Sequence, residues 1–247
     1  MQNALLLEFQ NFVSSNLISD FSCGQVNKFV RYFDLLVEWN QKFNLISFKS
    51  ESGIVYRHFC DSLYAAKTIK ELSQNTELKI ADLGTGSGMP GIPVKIACPQ
   101  TKMTLVESVT KKCKFLEVVN DELKLNLEIL NDRAENIGQN KQYRQKYDFV
   151  LSRAVSKLSP NLEIAIPLLK VGGFFIVHKT QESAQSPLEG IPSIANALNH
   201  LGAKLEKTIP YNLPNQSLNY CLLIFKKRKE SAQQFPRKSG IPEKKPL

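Results

Sequence analysis

The sequence predicts an α/β protein built on a doubly wound, mainly parallel sheet, and three observations carry that reading. From Lys79 onward, short apolar runs alternate with amphipathic helical stretches, the pattern of right-handed βαβ crossovers. One of those runs, Ile80 to Leu83, feeds directly into a glycine cluster, Gly84, Gly86, Gly88 and Gly91, which holds a third of the chain's twelve glycines. The last two strand-like runs have no helix between them, so they pair as an antiparallel hairpin at the sheet edge.

Before that core, residues 3–18 and 25–46 place Leu6, Phe9, Phe12 and Val13, then Val26, Phe29, Val30, Phe33, Leu36 and Val37, at helical spacing. Both read as amphipathic helices laid on something larger, with Trp39 and Phe43 as packing residues and Asn44 either a helix cap or a site residue. A further helix runs to about Leu72, opened by Tyr56-Arg57-His58-Phe59-Cys60-Asp61-Ser62, where Arg57, His58 and Asp61 are close enough in helical register to cluster. Strands are expected at 79–83, 103–107, 127–131, 147–152, 173–178, 203–209 and 219–226. Helices fall at about 91–98, 110–124, 158–169 and 188–201, with Ser159-Pro160 as a start signal and Lys170-Val-Gly-Gly173 as a stop. Three parts result: an N-terminal helical extension over 1–75, the core over 76–226 and a basic tail over 227–247.

Hydrophobic content of 43% and charge of 22% suit a protein that buries a real core. The net charge of +9 favours a polyanionic partner. Residues 226–247 carry eight positive side chains against two negative, within three prolines and one glycine, which reads as an extended or mobile segment when free that contacts phosphate. No apolar run reaches the roughly 18 residues of a membrane span, and Met1 to Glu8 lacks the features of a signal peptide, so the expected location is the cytoplasm, with no membrane. The five cysteines form no CxxC pair and read as reduced, small hydrophobes, with no metal expected.

Three nucleotide chemistries compete for the glycine turn. A P-loop needs GxxxxGK[ST], and no lysine followed by a hydroxyl residue stands after these glycines. A dinucleotide fingerprint is present literally as Gly86-Ser-Gly-Met-Pro-Gly91, but in a dinucleotide turn the first glycine directly follows the strand, and here that glycine is Gly84. Counted from the strand end, the motif is Asp82-Leu-Gly84-x-Gly86-x-Gly88, the form found in doubly wound S-adenosylmethionine-dependent methyltransferases. Glu107, about twenty residues on, is placed to accept from ribose hydroxyls, as it would with NAD.

With Trp39-Asn40 through Asn44-Leu45, Arg57-His58 with Asp61-Ser62, and the turn from Asp82 to Pro93, a closer likeness emerges. Leu105-Val-Glu-Ser108 with Lys111-Lys112 and Phe115-Leu116, Arg133-Ala-Glu135, Ser152-Arg-Ala154 and Phe235-Pro-Arg-Lys-Ser-Gly240 extend it over most of the chain. On these motifs the chain resembles the bacterial small-subunit ribosomal RNA guanine-N7 methyltransferases, the glucose-inhibited division protein B family, with a Rossmann-like core. Ser87, Met89 and Glu107 stand where proline, leucine and aspartate are commoner in that family.

The resemblance implies S-adenosylmethionine as cofactor and 16S ribosomal RNA, or the ribosomal particle holding it, as partner, and nothing in the sequence demands more than a monomer. It puts Asp82, Gly84, Gly86, Met89, Glu107, Ala134, Glu135 and Arg153 around the cofactor. Arg153 and Arg133 would position the target guanine, while Asn44, Arg57, His58, Asp61, Arg237 and Lys238 would shape the RNA side. Guanine N7 has a free lone pair, so methyl transfer is an in-line displacement needing no general base, with alignment supplying roughly 7–11 kcal/mol. Arginine usually grips guanine at O6 and N7 together. N7 must attack, so Arg153 or Arg133 is expected on O6, ribose or phosphate, with a carboxylate such as Glu135 or Asp132 as an alternative partner for Arg153. An unpaired guanine is the expected target, and Phe235 a stacking residue for RNA. The competing readings are a methyltransferase for another acceptor, an RNA-binding assembly factor without turnover, and a nicotinamide dehydrogenase.

Overall fold

A computed structural model describes residues 1–47, 50–153, 157–186, 191 and 194–247. Helices α1 (Asn3–Asn16) and α2 (Cys23–Asn40) form the start of one layer. A capping box opens α2: Ser22 Oγ accepts from Gln25 N–H while the Gln25 side chain accepts from Ser22 N–H, satisfying two donors the helix leaves over. Val26, Phe29, Phe33 and Leu36 are buried along one stripe, and Phe29 meets Phe9 and Phe59 edge-on at 5.1 and 5.0 Å. The helix ends at Asn40 rather than near residue 46. There the Asn40 carbonyl oxygen Oδ1 accepts from the N–H groups of Leu45 and Ile46, at 2.8 and 3.0 Å, and that local side-chain capture of the backbone competes with further helix. Trp39 packs on Phe115 and Phe43, with centroids at 5.6 and 5.9 Å, so both aromatics are packing residues.

A second rod joins α3 (Glu51–Ile54), a π-helical turn (Val55–Cys60) and α4 (Asp61–Leu72). The sheet then builds in order from β1 (Lys79–Leu83), α5 (Gly91–Ala97), β2 (Lys102–Val106), α6 (Thr110–Leu123), β3 (Glu128–Leu130), α7 (Ala134–Gln139) and β4 (Tyr147–Arg153). It continues through α8 (Leu158–Ala165), β5 (Leu169–Thr180), α9 (Gln181–Gln185), α10 (Ala195–Leu201), β6 (Ala203–Tyr211), β7 (Tyr220–Lys227) and α11 (Ile241–Lys244). The spatial order is β3-β2-β1-β4-β5-β7-β6. Strands β1 to β5 are parallel, and β7 runs antiparallel to both β5 and β6. One face is covered by the N-terminal helices with α5 and α6, through Phe29, Phe59, Ile80, Leu105 and Phe149. The other face is covered by α7, α8 and α10, through Ala81, Val106, Val150, Leu162 and Phe175. Strand order reverses between β1 and β4, so the crevice beyond their carboxyl ends is the ligand position of such sheets.

Several boundaries move. The predicted helix over 158–169 stops at Ala165, where Ile166–Leu168 tightens into a 3-10 turn around Pro167; β5 consequently begins at Leu169, before the glycine pair. Helices α3, α7, α9 and α11 are additional to the sequence reading. The first part of the predicted 188–201 helix, residues 188–190 and 192–193, lies outside the described residues, as does Ala154 of the Ser152-Arg-Ala154 motif.

The tail corrects the sequence reading most. It folds back on the core instead of extending. Arg144 donates to the carbonyls of Phe235, Ser231 and Ala232, Gln139 donates to Pro236 O, and a Cβ on Gly138 would lie 2.6 Å from the Pro236 ring. Phe235 is buried beside His200, centroids 6.1 Å apart. A side chain enclosed in that way does not stack on RNA.

Candidate functional site

The glycine turn is fastened from beneath. Its Gly84 and Thr85 N–H groups donate to Val106 O of β2, at 2.9 and 3.2 Å. Gly84, Gly86 and Gly88 have φ of 63°, 61° and 98°, a region in which a side chain is strained. At Gly88 a Cβ would also sit 2.3 Å from Ile92 Cδ1 and 2.9 Å from Tyr32 Oη. Tyr32 Oη donates to Ser87 O at 2.5 Å, so the N-terminal helical layer holds the turn directly.

Asp82, expected against the cofactor, is fully buried under the turn. Its Oδ2 accepts from Thr85 Oγ1 at 2.6 Å and from Gly91 N–H at 2.8 Å, tying the start of the loop to the first residue of α5. Burial pushes its carboxyl up to about 7, against the lowering effect of the Thr85 and Gly91 hydrogen bonds. Met89, expected to line the pocket, is likewise buried, with its sulfur accepting from Ser62 Oγ at 3.7 Å. Both residues support the turn from its protein side.

Gly86 shows the opposite face. A Cβ there would meet nothing nearer than Gly84 O at 4.0 Å, so the backbone is open to an approaching molecule. Glu107 Oε2 accepts from Gly86 N–H at 2.9 Å and Oε1 from Val109 N–H at 2.8 Å, which leaves each oxygen a lone pair for a hydroxyl. Beside it is a cavity of about 120 Å³ among Gly84, Ser108, Asp132, Arg133, Ala134 and Asn161. An open glycine backbone, a carboxylate with spare acceptor capacity and a slot at the ends of β1 to β3 fit the amino-acid, ribose and adenine parts of S-adenosylmethionine. Glu135 also borders this cavity, and its Oε1 accepts from Gly240 N–H of the tail at 3.0 Å. The Arg133 side chain is exposed at the rim.

A second site lies beyond the ends of β4 and β5. The π-helical turn carries Arg57 and His58, and α4 begins with Asp61; π turns widen a helix and recur at functional sites. Arg153, the last residue of β4, donates to Arg57 O at 3.0 Å, Asp61 Oδ2 at 3.2 Å and His58 Nδ1 at 2.8 Å. Tyr211 Oη donates to Asp61 Oδ1 at 2.5 Å, and His178 Nε2 donates to Asp61 O at 3.1 Å. The carboxylate partner of Arg153 is therefore Asp61, rather than Glu135 or Asp132. His58 has its Nδ1 lone pair committed to Arg153 and its other ring nitrogen toward Ser47 O at 3.4 Å. Burial and then the Arg153 charge lower its pKa to about 4, so it stays neutral near pH 7. A cavity of about 300 Å³ opens here, lined by Arg57, His58, Asp61, Arg153, His178 and Tyr220 among others.

Of the residues expected on the RNA side, Arg57, His58 and Asp61 come together with Arg153, although the Arg57 side chain itself faces solvent. Asn44 is exposed in the loop after α2, whose Ser47 touches His58. Arg237 is corrected: its guanidinium donates to both oxygens of the fully buried Glu163, at 2.8 and 2.5 Å, and to Lys245 O at 2.7 Å. It is an anchor for the tail. Lys238 is exposed. Tyr211, His178 and Tyr220 were not singled out from the sequence as site residues; Tyr211 and Asp61 are 150 residues apart, and no spacing rule connects them. Among the described residues no group of three or more His, Cys, Asp or Glu side chains is placed to hold a metal ion, and no helix is long and apolar enough to cross a membrane.

The chain is similar to known proteins in both fold and sequence. The fold is similar to TYW2 of P. horikoshii in complex with MeSAdo, at TM-score 0.53 and 13% identity over 74% of this chain and 65% of that one. It is also similar to TrmN of Thermus thermophilus, at TM-score 0.50 and 15% identity over 70% and 53%. In sequence it is 40% identical to a ribosomal RNA small subunit methyltransferase G of Alkaliphilus oremlandii over 91% of each chain. It is 38% identical to the protein of that name from Streptococcus pneumoniae over 98% of this chain and 97% of the other. The family model described as rRNA small subunit methyltransferase G matches residues 25–194, a span holding the glycine turn, Glu107, the π-helical turn and Arg153. The chain belongs to the rRNA small subunit methyltransferase G family.

Proposed function

We propose that this protein methylates N7 of a guanine in 16S ribosomal RNA, in the cytoplasm, with S-adenosylmethionine as cofactor. The observation that carries this reading is that an open glycine backbone and an arginine-centred cavity share the crevice at the carboxyl ends of the parallel strands, in a chain of this family. When bound, S-adenosylmethionine supplies an electrophilic methyl group. Gly84, Gly86, Glu107, Ala134 and Glu135 are the residues that would hold it.

Guanine N7 attacks through its own lone pair, so no side chain has to remove a proton. The second site suits such chemistry. His58 is neutral with its Nδ1 occupied, and both oxygens of Asp61 already accept hydrogen bonds; neither is free to act as a base. What the chain contributes is position. Arg153 and Arg133 hold the nucleotide through O6, ribose or phosphate and leave N7 exposed, and exposed basic residues such as Lys238 attract the RNA backbone.

Labelled S-adenosylmethionine incubated with the protein and either deproteinised small-subunit RNA or the assembled particle tests the proposal. Labelled 7-methylguanine at one position of the RNA is the expected product. Label in protein, at another base, or nowhere overturns it, and the better of the two substrates shows whether the particle is required.

A further inference from the structure

We propose that the 300 Å³ cavity beside Arg153 receives the acceptor guanine and that His178 and Tyr220 read its Watson–Crick edge. This rests on the function proposed above. Among the described residues three buried side-chain polar atoms have no hydrogen-bond partner: Asp82 Oδ1, His178 Nδ1 and Tyr220 Oη. The last two belong to residues that line this one cavity. His178 and Tyr220 are 5% and 8% exposed. A buried polar atom left unpaired is costly, because it gives up its water without a replacement partner, so two on one wall describe a surface completed by a ligand.

Their chemistry is defined by their neighbours. His178 Nε2 lies 3.1 Å from the Asp61 carbonyl, and the Ser152 carbonyl also neighbours the ring; both only accept, so Nε2, the nitrogen in hydrogen-bond geometry, carries the proton and Nδ1 keeps an unpartnered lone pair. Tyr220 Oη is free to donate. In the sheet, Arg153 is in register with His178, His178 with Leu222, and Thr180 with Tyr220, so Tyr220 is the diagonal neighbour of His178, with Cα atoms ~7–8 Å apart by sheet geometry. Its ring stacks on Tyr211 at 5.8 Å, and Tyr211 on Tyr64 at 4.0 Å, which fixes the hydroxyl on a rigid aromatic ladder. Guanine offers a donor at N1 and N2 and an acceptor at O6; adenine offers an acceptor at N1 and a donor at N6. An acceptor nitrogen beside a donor hydroxyl matches the first and sets lone pair against lone pair with the second. Reading that edge of an extruded base leaves N7 untouched and explains how a site can hold guanine without gripping the atom that reacts.

The test uses the full-length protein, with RNA carrying guanine or 2-aminopurine at the mapped position; 2-aminopurine keeps N7 but lacks O6 and the N1 proton. The wild type is expected to methylate guanine RNA at least about tenfold faster, the scale of one or two lost hydrogen bonds. Tyr220→Phe removes only the unpartnered hydroxyl. It is expected to melt at or above the wild-type temperature and bind S-adenosylmethionine equally, yet to act on guanine RNA about tenfold more slowly, with its rate on 2-aminopurine RNA unchanged. A variant as fast as the wild type on guanine, or a variant slowed equally on both RNAs, overturns the proposal. Should the variant fold poorly, the wild type decides alone: equal rates on the two RNAs sink the idea. A wild type that methylates no RNA base refutes the underlying function and this inference with it, and is distinguishable from both.

Discussion

The glycine turn and the Arg153 cluster stand side by side at the same end of the sheet, but they are made in opposite ways. The turn is local: Asp82, Thr85, Gly86, Gly88 and Gly91 lie within ten residues, and its long-range contacts, from Tyr32, Val106 and Glu107, add support. The cluster is assembled from the π-helical turn, the start of α4 and strands β4 to β7, and every hydrogen bond that Arg153, His178 and Tyr211 make to that helical rod spans at least 92 residues of sequence. A local device is specified by conformational preference, and a distributed one by burial and charge. Their responses to perturbation should differ accordingly.

The largest effect should come from the hub of the cluster. Asp61→Ala leaves the Arg153 guanidinium without its carboxylate and strands the Tyr211 hydroxyl, and removing one partner of a buried ion pair costs about 3–5 kcal/mol. Urea denaturation would measure it; a loss under about 1 kcal/mol would show the cluster to be a surface feature in energetic terms.

The two regions should also titrate with opposite sign. Asp82 has a pKa raised by burial from 3.8 to about 7, so the folded state holds its proton longer than the unfolded chain, and stability from this group is lost as pH rises from about 4 to about 7. His58 has a pKa lowered by burial and then by Arg153 from 6.5 to about 4, so the unfolded chain takes up the proton first, and stability is lost as pH falls from 6.5 through 4. Each full window amounts to a few kcal/mol, at about 1.4 kcal/mol per unit. Between pH 4.5 and 6.5 the stability of the wild type relative to Asp82→Asn should fall with pH, while that relative to His58→Gln should rise. Parallel slopes in the two series would contradict the assignment.

Within the turn itself, two glycines should separate support from binding. Gly88→Ala meets Ile92 and Tyr32 as well as an unfavourable φ, and should cost about 2–3 kcal/mol from overpacking and strain together. Gly86→Ala has only the φ penalty, about 1 kcal/mol, but its Cβ projects into open space, so it should weaken S-adenosylmethionine binding, read by calorimetry, more than Gly88→Ala weakens it per unit of lost stability. Equal binding in Gly86→Ala and the wild type would move the cofactor off that face.

How much of this was legible follows from the same contrast. The alternation of strands and helices, the antiparallel last pair and the position of the turn are visible because side-chain period and glycine content act over a few residues. Arg57, His58 and Asp61 were recognisable as one group, since helical spacing brings them together. The motif puts Asp82 and Met89 on the ligand side of the turn, but motif spacing does not say which face of a loop a side chain takes, and both are buried beneath it. By charge alone the tail reads as a free arm. Arg144 and Glu163, which hold it through Phe235 and Arg237, gave no such signal, because a buried tether is defined by its partner.

By itself, then, the sequence determined the fold class, the glycine turn with its open backbone, and the family to which the chain is similar, all properties carried by short-range pattern and ordered motifs. The tertiary structure alone decided that Arg153 pairs with Asp61, that the basic tail folds back on the core, and that His178 Nδ1 and Tyr220 Oη are left without partners on the wall of one cavity. Those outcomes depend on which groups are removed from water together, and desolvation is a property of the packed molecule that no stretch of chain expresses alone.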